Sequence, residues 1–251
     1  YHGTWGLQQD IRMEARVSRA KGTHATPGVV AVALVFMGLV ATLGLWALSQ
    51  PDDGPPRVGL QAGHWRSSAL PDELAEFRTA TGASAGGVDE VDVNLNVARQ
   101  TAARLRDRGV VVDVLPATVP PGYEADAFIA LHADGALNRE ARGYKLATPR
   151  RASPDSTRLL TAISAEYGWR TRLPRNNAIT DAMRDYYAFN SRGLEHAIDA
   201  QTPAVIVEMG FVSNARDRAI LSDRPDVIAG ALADGILRYL DEQARAEEAS
   251  R

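Results

Sequence analysis

Residues 203–214 read Pro-Ala-Val-Ile-Val-Glu-Met-Gly-Phe-Val-Ser-Asn and give the clearest indication of the fold class. Residues 204–207 are apolar and mostly β-branched, a composition typical of a strand buried in the middle of a sheet. The apolar run stops at Glu208, and residues 213–214 are suited to capping a following helix. A carboxylate at the end of a buried strand is costly unless its charge is used. Glu208 is therefore either a functional residue or a strand-end side chain that points to solvent.

Two further strand-like runs also end on a residue that can bind a metal. Residues 58–62 are followed by Gly63, which permits a sharp turn, and then by His64. Residues 127–131 are followed directly by His132. Taken alone, His64 is more simply a surface residue or a support for a ligand. Because sites in open α/β sheets form at the carboxyl ends of strands, three strand ends that carry His64, His132 and Glu208 predict a shared site.

A fourth candidate, Glu90, lies in or just before the first turn of a predicted helix. Acidic residues at that place commonly do no more than complement the helix dipole, and Asp89 and Asp92 fit the same interpretation. Two imidazoles and one carboxylate are, however, the ligand set of a catalytic zinc. A second carboxylate is then available as general base and acid. The set of four residues is more specific than any one of them.

The composition excludes several other kinds of protein. A formal net charge of −3 gives none of the basic excess of a nucleic-acid-binding protein. The chain has no cysteine, so disulfides and thiolate metal sites are excluded, and a metal must be held by His, Asp or Glu. A chain of 251 residues is long enough for one sizeable domain with appendages.

Residues 27–48 carry no charge and match a transmembrane helix, which needs about 20 apolar residues. Basic residues precede this span and Asp52-Asp53 follow it, so the positive-inside rule places residues 1–26 in the cytoplasm and the rest outside. The alternative is a cleaved signal peptide, because Ala47 and Ser49 resemble a cleavage site. Both interpretations predict an exported protein, which is either a single-pass protein of the cell membrane or secreted.

We expect one α/β domain with a mixed, mostly parallel, twisted sheet of about six strands and helices on both faces. Strands are expected at residues 58–62, 110–115, 127–131, 143–147 and 204–207, and helices at residues 88–109, 156–168, 192–200, 214–221 and 225–242. The predicted organisation is an N-terminal segment 1–26, a transmembrane helix 27–48, a proline-rich linker 49–56, a catalytic domain 57–242 and a charged tail 243–251.

Three other features have simple explanations. The glycine-rich residues 82–87 match a phosphate-binding loop only weakly and are expected to form a surface loop. His196 lies in an apolar pattern at helical spacing and is expected to be structural. The polar and aromatic residues 176–180 and 186–190 suit either the lining of a substrate groove or ordinary packing and turns.

From residue 57 to about residue 240, the chain resembles the zinc-dependent N-acetylmuramoyl-L-alanine amidases in four motifs that occur in the same order. Ala-Gly-His at residues 62–64 resembles the motif of a zinc-binding histidine, and Glu90 matches the acidic ligand that begins the first long helix. His132, within Ile-Ala-Leu-His-Ala-Asp, matches the second histidine ligand. Glu208, followed by Met-Gly-Phe-Val-Ser-Asn, matches the catalytic glutamate.

The resemblance implies hydrolysis of the bond between the lactyl group of N-acetylmuramic acid and L-alanine in peptidoglycan. Zinc held by His64, Glu90 and His132 would activate water and polarise the scissile carbonyl. Glu208 would take the proton from water and pass it to the leaving amine. Peptidoglycan is the expected partner, and the sequence leaves open whether an activator protein is needed.

Three positions depart from the family pattern. Gln61 stands where the family usually has Asp, Trp65 where it has Gly, and Asp134 where it often has Asn. Neither Gln61 nor Trp65 is expected to bind the metal directly; Gln61 is expected to change the hydrogen bonds around the ligands, and Trp65 the mouth of the site. Two other functions remain open from the sequence: a wall-binding or regulatory module without turnover, and a zinc peptidase acting on the stem peptide.

Overall fold

A five-stranded sheet forms the centre of the protein in this computed structural model, which describes residues 54–250. Its strands are β1 (Arg57–Ala62), β4 (Val111–Leu115), β5 (Ala127–Asp134), β6 (Lys145–Ala147) and β7 (Ala204–Phe211), while β2 (Ser84–Ala85) and β3 (Val88–Asp89) pair only with each other. The order is β4-β1-β5-β7-β6, in which β6 alone is antiparallel to its neighbour. The mixed, mostly parallel sheet is confirmed, with five strands where about six were expected.

The parallel strands β1, β5 and β7 bring their carboxyl ends to one edge of the sheet, as the sequence predicted. Both β5 and β7 continue past their apolar runs, so His132 and Glu208 lie inside strands and are direct partners across them. Lys145 in β6 is paired with Glu208 from the other side. Because side chains alternate between the faces of a strand, these three paired residues share one face of the sheet.

The α-helices of the described residues are α1 (Glu90–Arg106), α2 (Pro154–Thr171), α3 (Asp181–Arg184), α4 (Ala215–Asp223) and α5 (Pro225–Ser250). Three of them, α1, α2 and α5, pack their apolar stripes against one face of the sheet in a single large core. The fit between α2 and α5 is close at Gly235, where a Cβ would lie 2.6 Å from Ile163 Cα. This face is filled by helices, and it contributes to the candidate site Glu90, the first residue of α1.

The opposite face is covered mainly by the irregular segment 174–202. Met183, Ala188 and Ile198 from this segment pack on Phe128 and Ile206 of the sheet. The expected long helices on both faces are therefore found on one face, and the helix predicted at residues 192–200 is wrong. Ile198 forms a strand-like bridge to Tyr123 and its N–H donates to the carbonyl of Ala188 at 2.9 Å, so tertiary pairing replaces helical bonds.

Two helix boundaries differ from those predicted. Helix α2 begins after Ser153, whose hydroxyl accepts from the N–H of Ser156 at 3.0 Å. The hydroxyl of Ser156, where the predicted helix began, instead accepts from the N–H of Ala204 at 3.0 Å. Helix α5 continues to Ser250 through the predicted charged tail, where Gln243 donates to Asp155 at 3.0 Å. The Asn214 cap of α4 is confirmed.

The predicted segment 1–26, transmembrane helix 27–48 and most of the linker lie outside the described residues. Within residues 54–250, none of the helices combines the length and the apolar character that a membrane crossing requires.

Candidate metal centre and catalytic glutamate

His64, Glu90 and His132 converge at the carboxyl edge of the sheet, each from a different element. Each residue offers one ligand atom, and the three ligand atoms lie within 4.8 Å of one another. Oε1 of Glu90 is 3.3 Å from Nε2 of His64 and 3.0 Å from Nδ1 of His132. The two imidazole rings meet edge to face, with centroids 5.0 Å apart. The structure thus brings together the three ligand candidates that the sequence singled out.

His64 is oriented by its own backbone and by one carbonyl group. Its φ of 64° places it in the left-handed region, which is uncommon for a residue other than glycine. Its Nδ1 lies 2.9 Å from the carbonyl oxygen of Ala80, an acceptor only, so Nδ1 carries a proton, and in the neutral ring Nε2 faces Glu90 with its lone pair. Burial lowers the pKa of His64, but Glu90 and the Ala80 carbonyl raise it, and the net shift is upward.

Gly63 was expected to permit a sharp turn, but its lack of a side chain instead leaves room for the His132 ring. A Cβ on Gly63 would lie 2.3–2.6 Å from three ring atoms of His132, so the missing side chain makes room for the imidazole. The turn is taken by His64 itself.

Glu90 is buried at the start of α1 and is surrounded by donors. The N–H of Ala83 donates to Oε2 at 2.7 Å, and the N–H of Ala133 donates to Oε1 at 3.2 Å. The side-chain amide of Asn94 adds a contact of 3.3 Å to Oε1. Burial raises the pKa of Glu90, but the hydrogen bonds and charges of His132 and His64 outweigh it and hold the pKa far below the usual range. Glu90 is therefore a charged carboxylate and more than a helix-dipole complement.

Glu208 lies next to this cluster but has the opposite environment. Its Oε2 is buried and has no hydrogen-bond partner among the described residues. Burial raises the pKa of Glu208 well above the ordinary value, the charges of Asp134 and Glu90 raise it further, and Lys145 opposes them. A carboxyl group whose pKa is raised is suited to exchanging protons during a reaction. Glu208 does not simply point to solvent.

Asp134 and Lys145 form a buried ion pair beside Glu208. Lys145 is only 5% exposed, and its Nζ also lies 5.0 Å from the centre of the Phe211 ring. The extra negative charge that Asp134 brings to this edge is thus balanced within the same face of the sheet. Sequence reasoning noticed Asp134 but missed Lys145, because the pairing depends on the antiparallel register of β6.

Two loops that the sequence left ambiguous also contribute to the site. The glycine-rich segment is not a free surface loop, since a Cβ on Gly82 would lie 2.8 Å from Oε2 of Glu90 and 2.9 Å from Cδ2 of His64. Tyr186, from the ambiguous aromatic segment, places its hydroxyl 3.2 Å from Nε2 of His132. By contrast, His196 is structural as expected, with Nδ1 2.8 Å from Glu73.

The donors present at this edge fit a zinc ion. With His64 protonated at Nδ1, the lone pair of Nε2 and the charged oxygen of Glu90 repel each other unless a proton or a metal ion lies between them, and a metal ion can occupy that place. Two histidines and one glutamate also form the three-ligand set of catalytic zinc sites, which leave one position for water or substrate. The orphaned Oε2 of Glu208 provides a proton acceptor on the adjacent strand.

Comparison with protein families identifies the class of enzyme. The family model of the N-acetylmuramoyl-L-alanine amidases matches residues 58–238, most of the chain. The chain belongs to this amidase family. It is thereby assigned to a class of hydrolases that act on the amide bond of peptidoglycan. No curated protein matches the chain at a significant level.

Solved structures of other amidases share the fold at low sequence identity. The apo form of Ami1 from Mycobacterium abscessus is 21% identical with a TM-score of 0.55, covering 74% of this chain and 99% of that one. The catalytic domain of the amidase CwlV from Bacillus (Paenibacillus) polymyxa var. colistinus is 22% identical with a TM-score of 0.52, covering 74% and 98%. The CwlD amidase from Clostridioides difficile, in complex with the GerS lipoprotein, is 18% identical with a TM-score of 0.51, covering 74% and 98%.

Proposed function

We propose that this protein is a zinc-dependent amidase that hydrolyses the bond between N-acetylmuramic acid and L-alanine in peptidoglycan. The observation that carries the proposal is the convergence of His64, Glu90 and His132, with the unpartnered Oε2 of Glu208 on the neighbouring strand. Family membership supports the amide of peptidoglycan as the substrate. The donor set supports zinc as the metal.

In the proposed reaction, the metal would activate water and polarise the carbonyl, and Glu208 would transfer the proton. A zinc ion bound by His64, Glu90 and His132 would supply a water of lowered pKa and would polarise the scissile carbonyl. Glu208 accepts the proton of the attacking water on its unpartnered oxygen and then donates it to the leaving amine of L-alanine. Its raised pKa favours both steps, because a group that holds a proton at intermediate pH can accept it and also give it up.

The test is to incubate the chain with purified peptidoglycan, with and without a chelator, and to identify the products by mass spectrometry. Stem peptide released with L-alanine at its N-terminus, lost on chelation and restored by zinc, is the expected result. Cleavage within the peptide would instead assign the protein to the peptidases. Bound zinc without any product would point either to the wall-binding or regulatory module that the sequence left open or to a missing activator protein.

Two further proposals concern the localisation of the protein and its need for a partner protein. We propose that residues 27–48 anchor the protein in the cell membrane, with the catalytic domain outside. A chain recovered from membranes at its full mass would support the anchor, and a shortened chain would support a cleaved signal peptide. The CwlD structure contains a lipoprotein. A requirement for a partner protein is therefore the first explanation to test if the purified chain binds zinc but releases no product.

A further inference from the structure

Beneath His132 lies a buried network of hydrogen bonds that the proposed reaction does not use. Gln61, in β1, is completely buried and extends toward the irregular segment that covers this face. Its side chain contacts the carbonyl oxygen of Ala117 at 2.7 Å, the hydroxyl of Tyr187 at 3.0 Å and the hydroxyl of Tyr186 at 2.9 Å. The hydroxyl of Tyr186 in turn lies 3.2 Å from Nε2 of His132.

The direction of each hydrogen bond in this network follows from one fixed acceptor. The carbonyl of Ala117 can only accept, so the amide nitrogen of Gln61 must face it and Oε1 must point the other way. The hydroxyl of Tyr187 also donates to Ala117. The proton that Gln61 Oε1 accepts therefore comes from the hydroxyl of Tyr186.

This assignment determines what Tyr186 presents to His132. A tyrosine hydroxyl has one proton, and that proton is already used on Gln61. The oxygen that remains opposite Nε2 is an acceptor, so the 3.2 Å contact is a hydrogen bond only when Nε2 carries the proton. In the neutral ring, which is the form that binds a metal, Nδ1 then keeps its lone pair, and Nδ1 is the atom 3.0 Å from Oε1 of Glu90.

We propose that the Gln61–Tyr186 pair holds His132 in the tautomer protonated at Nε2 and so commits Nδ1 to the metal. His64 is held the opposite way, protonated at Nδ1 through the Ala80 carbonyl, with Nε2 toward the metal. Gln61 and Tyr186 are positioning residues, because neither touches the ligand cluster except through His132. Glutamine suits position 61 because it donates to Ala117 and accepts from Tyr186, whereas an ionised carboxylate could only accept.

The proposal rests on the proposed function for the metal, and its test is direct. The full chain, in mild detergent and labelled with ¹⁵N-histidine, is loaded with zinc, and long-range proton–nitrogen NMR identifies which nitrogen of each histidine is protonated. We expect His132 to be protonated at Nε2 and bound through Nδ1, and His64 to show the reverse. A His132 bound to zinc through Nε2 would overturn the proposal.

Zinc affinity, measured by competition with a chelator, tests the two positioning residues separately. Tyr186→Phe removes the acceptor and is expected to weaken zinc binding about 10–100-fold, as loss of a ligand's supporting hydrogen bond does. Gln61→Leu frees the Tyr186 proton to turn toward Nε2, which favours the wrong tautomer, and is expected to weaken binding although Tyr186 remains. Tyr123→Phe is the matched control, since its hydroxyl donates to Asp113, away from the cluster.

The outcomes separate this proposal from the proposed function. If Tyr186→Phe and Gln61→Leu bind zinc as tightly as the control, the positioning role is wrong even when the chain is an active amidase. If the chain binds zinc through Nδ1 of His132 but cleaves no amide, the proposed function fails and the positioning role stands. Melting temperatures of the three variants, measured without zinc, show whether a loss of affinity merely follows a loss of folding.

Discussion

Glu90 and Glu208 lie at the same edge of the sheet and differ in what their oxygens contact. Both oxygens of Glu90 accept hydrogen bonds from backbone N–H groups, and Oε1 also faces two histidines. Oε2 of Glu208 is equally removed from water but has no partner among the described residues. The pKa of Glu90 is correspondingly lowered and that of Glu208 raised. One carboxylate is thus prepared to stay charged, and the other to exchange a proton.

The comparison shows how a fold assigns different chemistry to one residue type. The carboxylate of Glu90 receives one backbone donor from the adjoining loop, at Ala83, and one from β5, where the register shifts between His132 and Asp134, at Ala133. Glu208 lies within a strand whose own N–H groups are used in the sheet, so no donor is left for its side chain. The difference comes from the backbone donors that each carboxylate can reach.

The largest expected effect is that of Glu208→Gln on turnover. The variant cannot accept or donate the transferred proton, and we expect kcat to fall about 10²–10⁴-fold, the usual contribution of general acid–base catalysis. Zinc content should stay at the wild-type level, because Glu208 is not among the converging ligands. The measurement pairs product release from peptidoglycan with metal analysis. Near wild-type turnover in this variant would show that Glu208 is not the proton-transfer group.

The same substitution at Glu90 should act on binding and stability. Both oxygens of Glu90 face N–H donors, so the amide nitrogen of Glu90→Gln must oppose one of them and leave it unsatisfied. We expect the free energy of unfolding to fall by about 1–3 kcal/mol, together with loss of zinc binding. Urea unfolding and chelator competition check these effects. Equal stability of the Glu90→Gln and Glu208→Gln variants would contradict the contrast between the two environments.

The sequence predicts the residues that a local pattern marks, but not the contacts between residues that lie far apart along the chain. The strand ends at His132 and Glu208 and the helix start at Glu90 were predictable. They follow from the composition and the apolar spacing of residues that are neighbours in the sequence. The hydroxyl of Tyr186 reaches His132 from 54 positions along the chain, out of a segment without any regular period. The pairing of Lys145 with Asp134 depends on the register of an antiparallel edge strand. Such contacts are created by tertiary packing.

The boundaries that were mispredicted have the same kind of cause. The apolar pattern near His196 indicated a helix, but Ile198 uses its backbone to bridge Tyr123. Gly82 was assigned to a surface loop, because nothing in its neighbours reveals that Glu90 and His64 pack against it. Sequence reasoning therefore found the ligand candidates but not the residues that fix them in place.

The pH dependence of stability in the metal-free chain should differ in sign between the two glutamates. The pKa of Glu208 is raised in the folded state, so its contribution is present below about pH 4.5 and is lost as the pH rises through the folded-state value. The pKa of Glu90 is lowered, so its contribution is present above about pH 4.5 and is lost as the pH falls. Each proton can change the free energy of unfolding by at most about 1.4 kcal/mol per pH unit.

Urea unfolding of the wild type and both glutamine variants, with chelator present, measures this difference. From pH 5 upward (about 0.5 unit above the ordinary glutamate value), wild type should lose stability relative to Glu208→Gln. Toward lower pH, it should lose its advantage over Glu90→Gln. Parallel curves for wild type and Glu208→Gln would show that the Glu208 pKa is not raised on folding.

The smallest expected effect compares a glycine beside each glutamate. Gly82 has a φ of 81°, and a Cβ there would lie 2.8 Å from Oε2 of Glu90, so Gly82→Ala should cost about 1–2 kcal/mol of stability and weaken zinc binding. A Cβ on Gly210, two residues after Glu208, would meet its nearest neighbours at 3.5–3.6 Å, which is ordinary contact. Gly210→Ala should therefore leave stability unchanged or raise it by up to about 1 kcal/mol. If thermal unfolding and chelator competition gave equal losses for both variants, tight enclosure would not distinguish Glu90 from Glu208, and only the donors around Glu90 would remain to explain its low pKa.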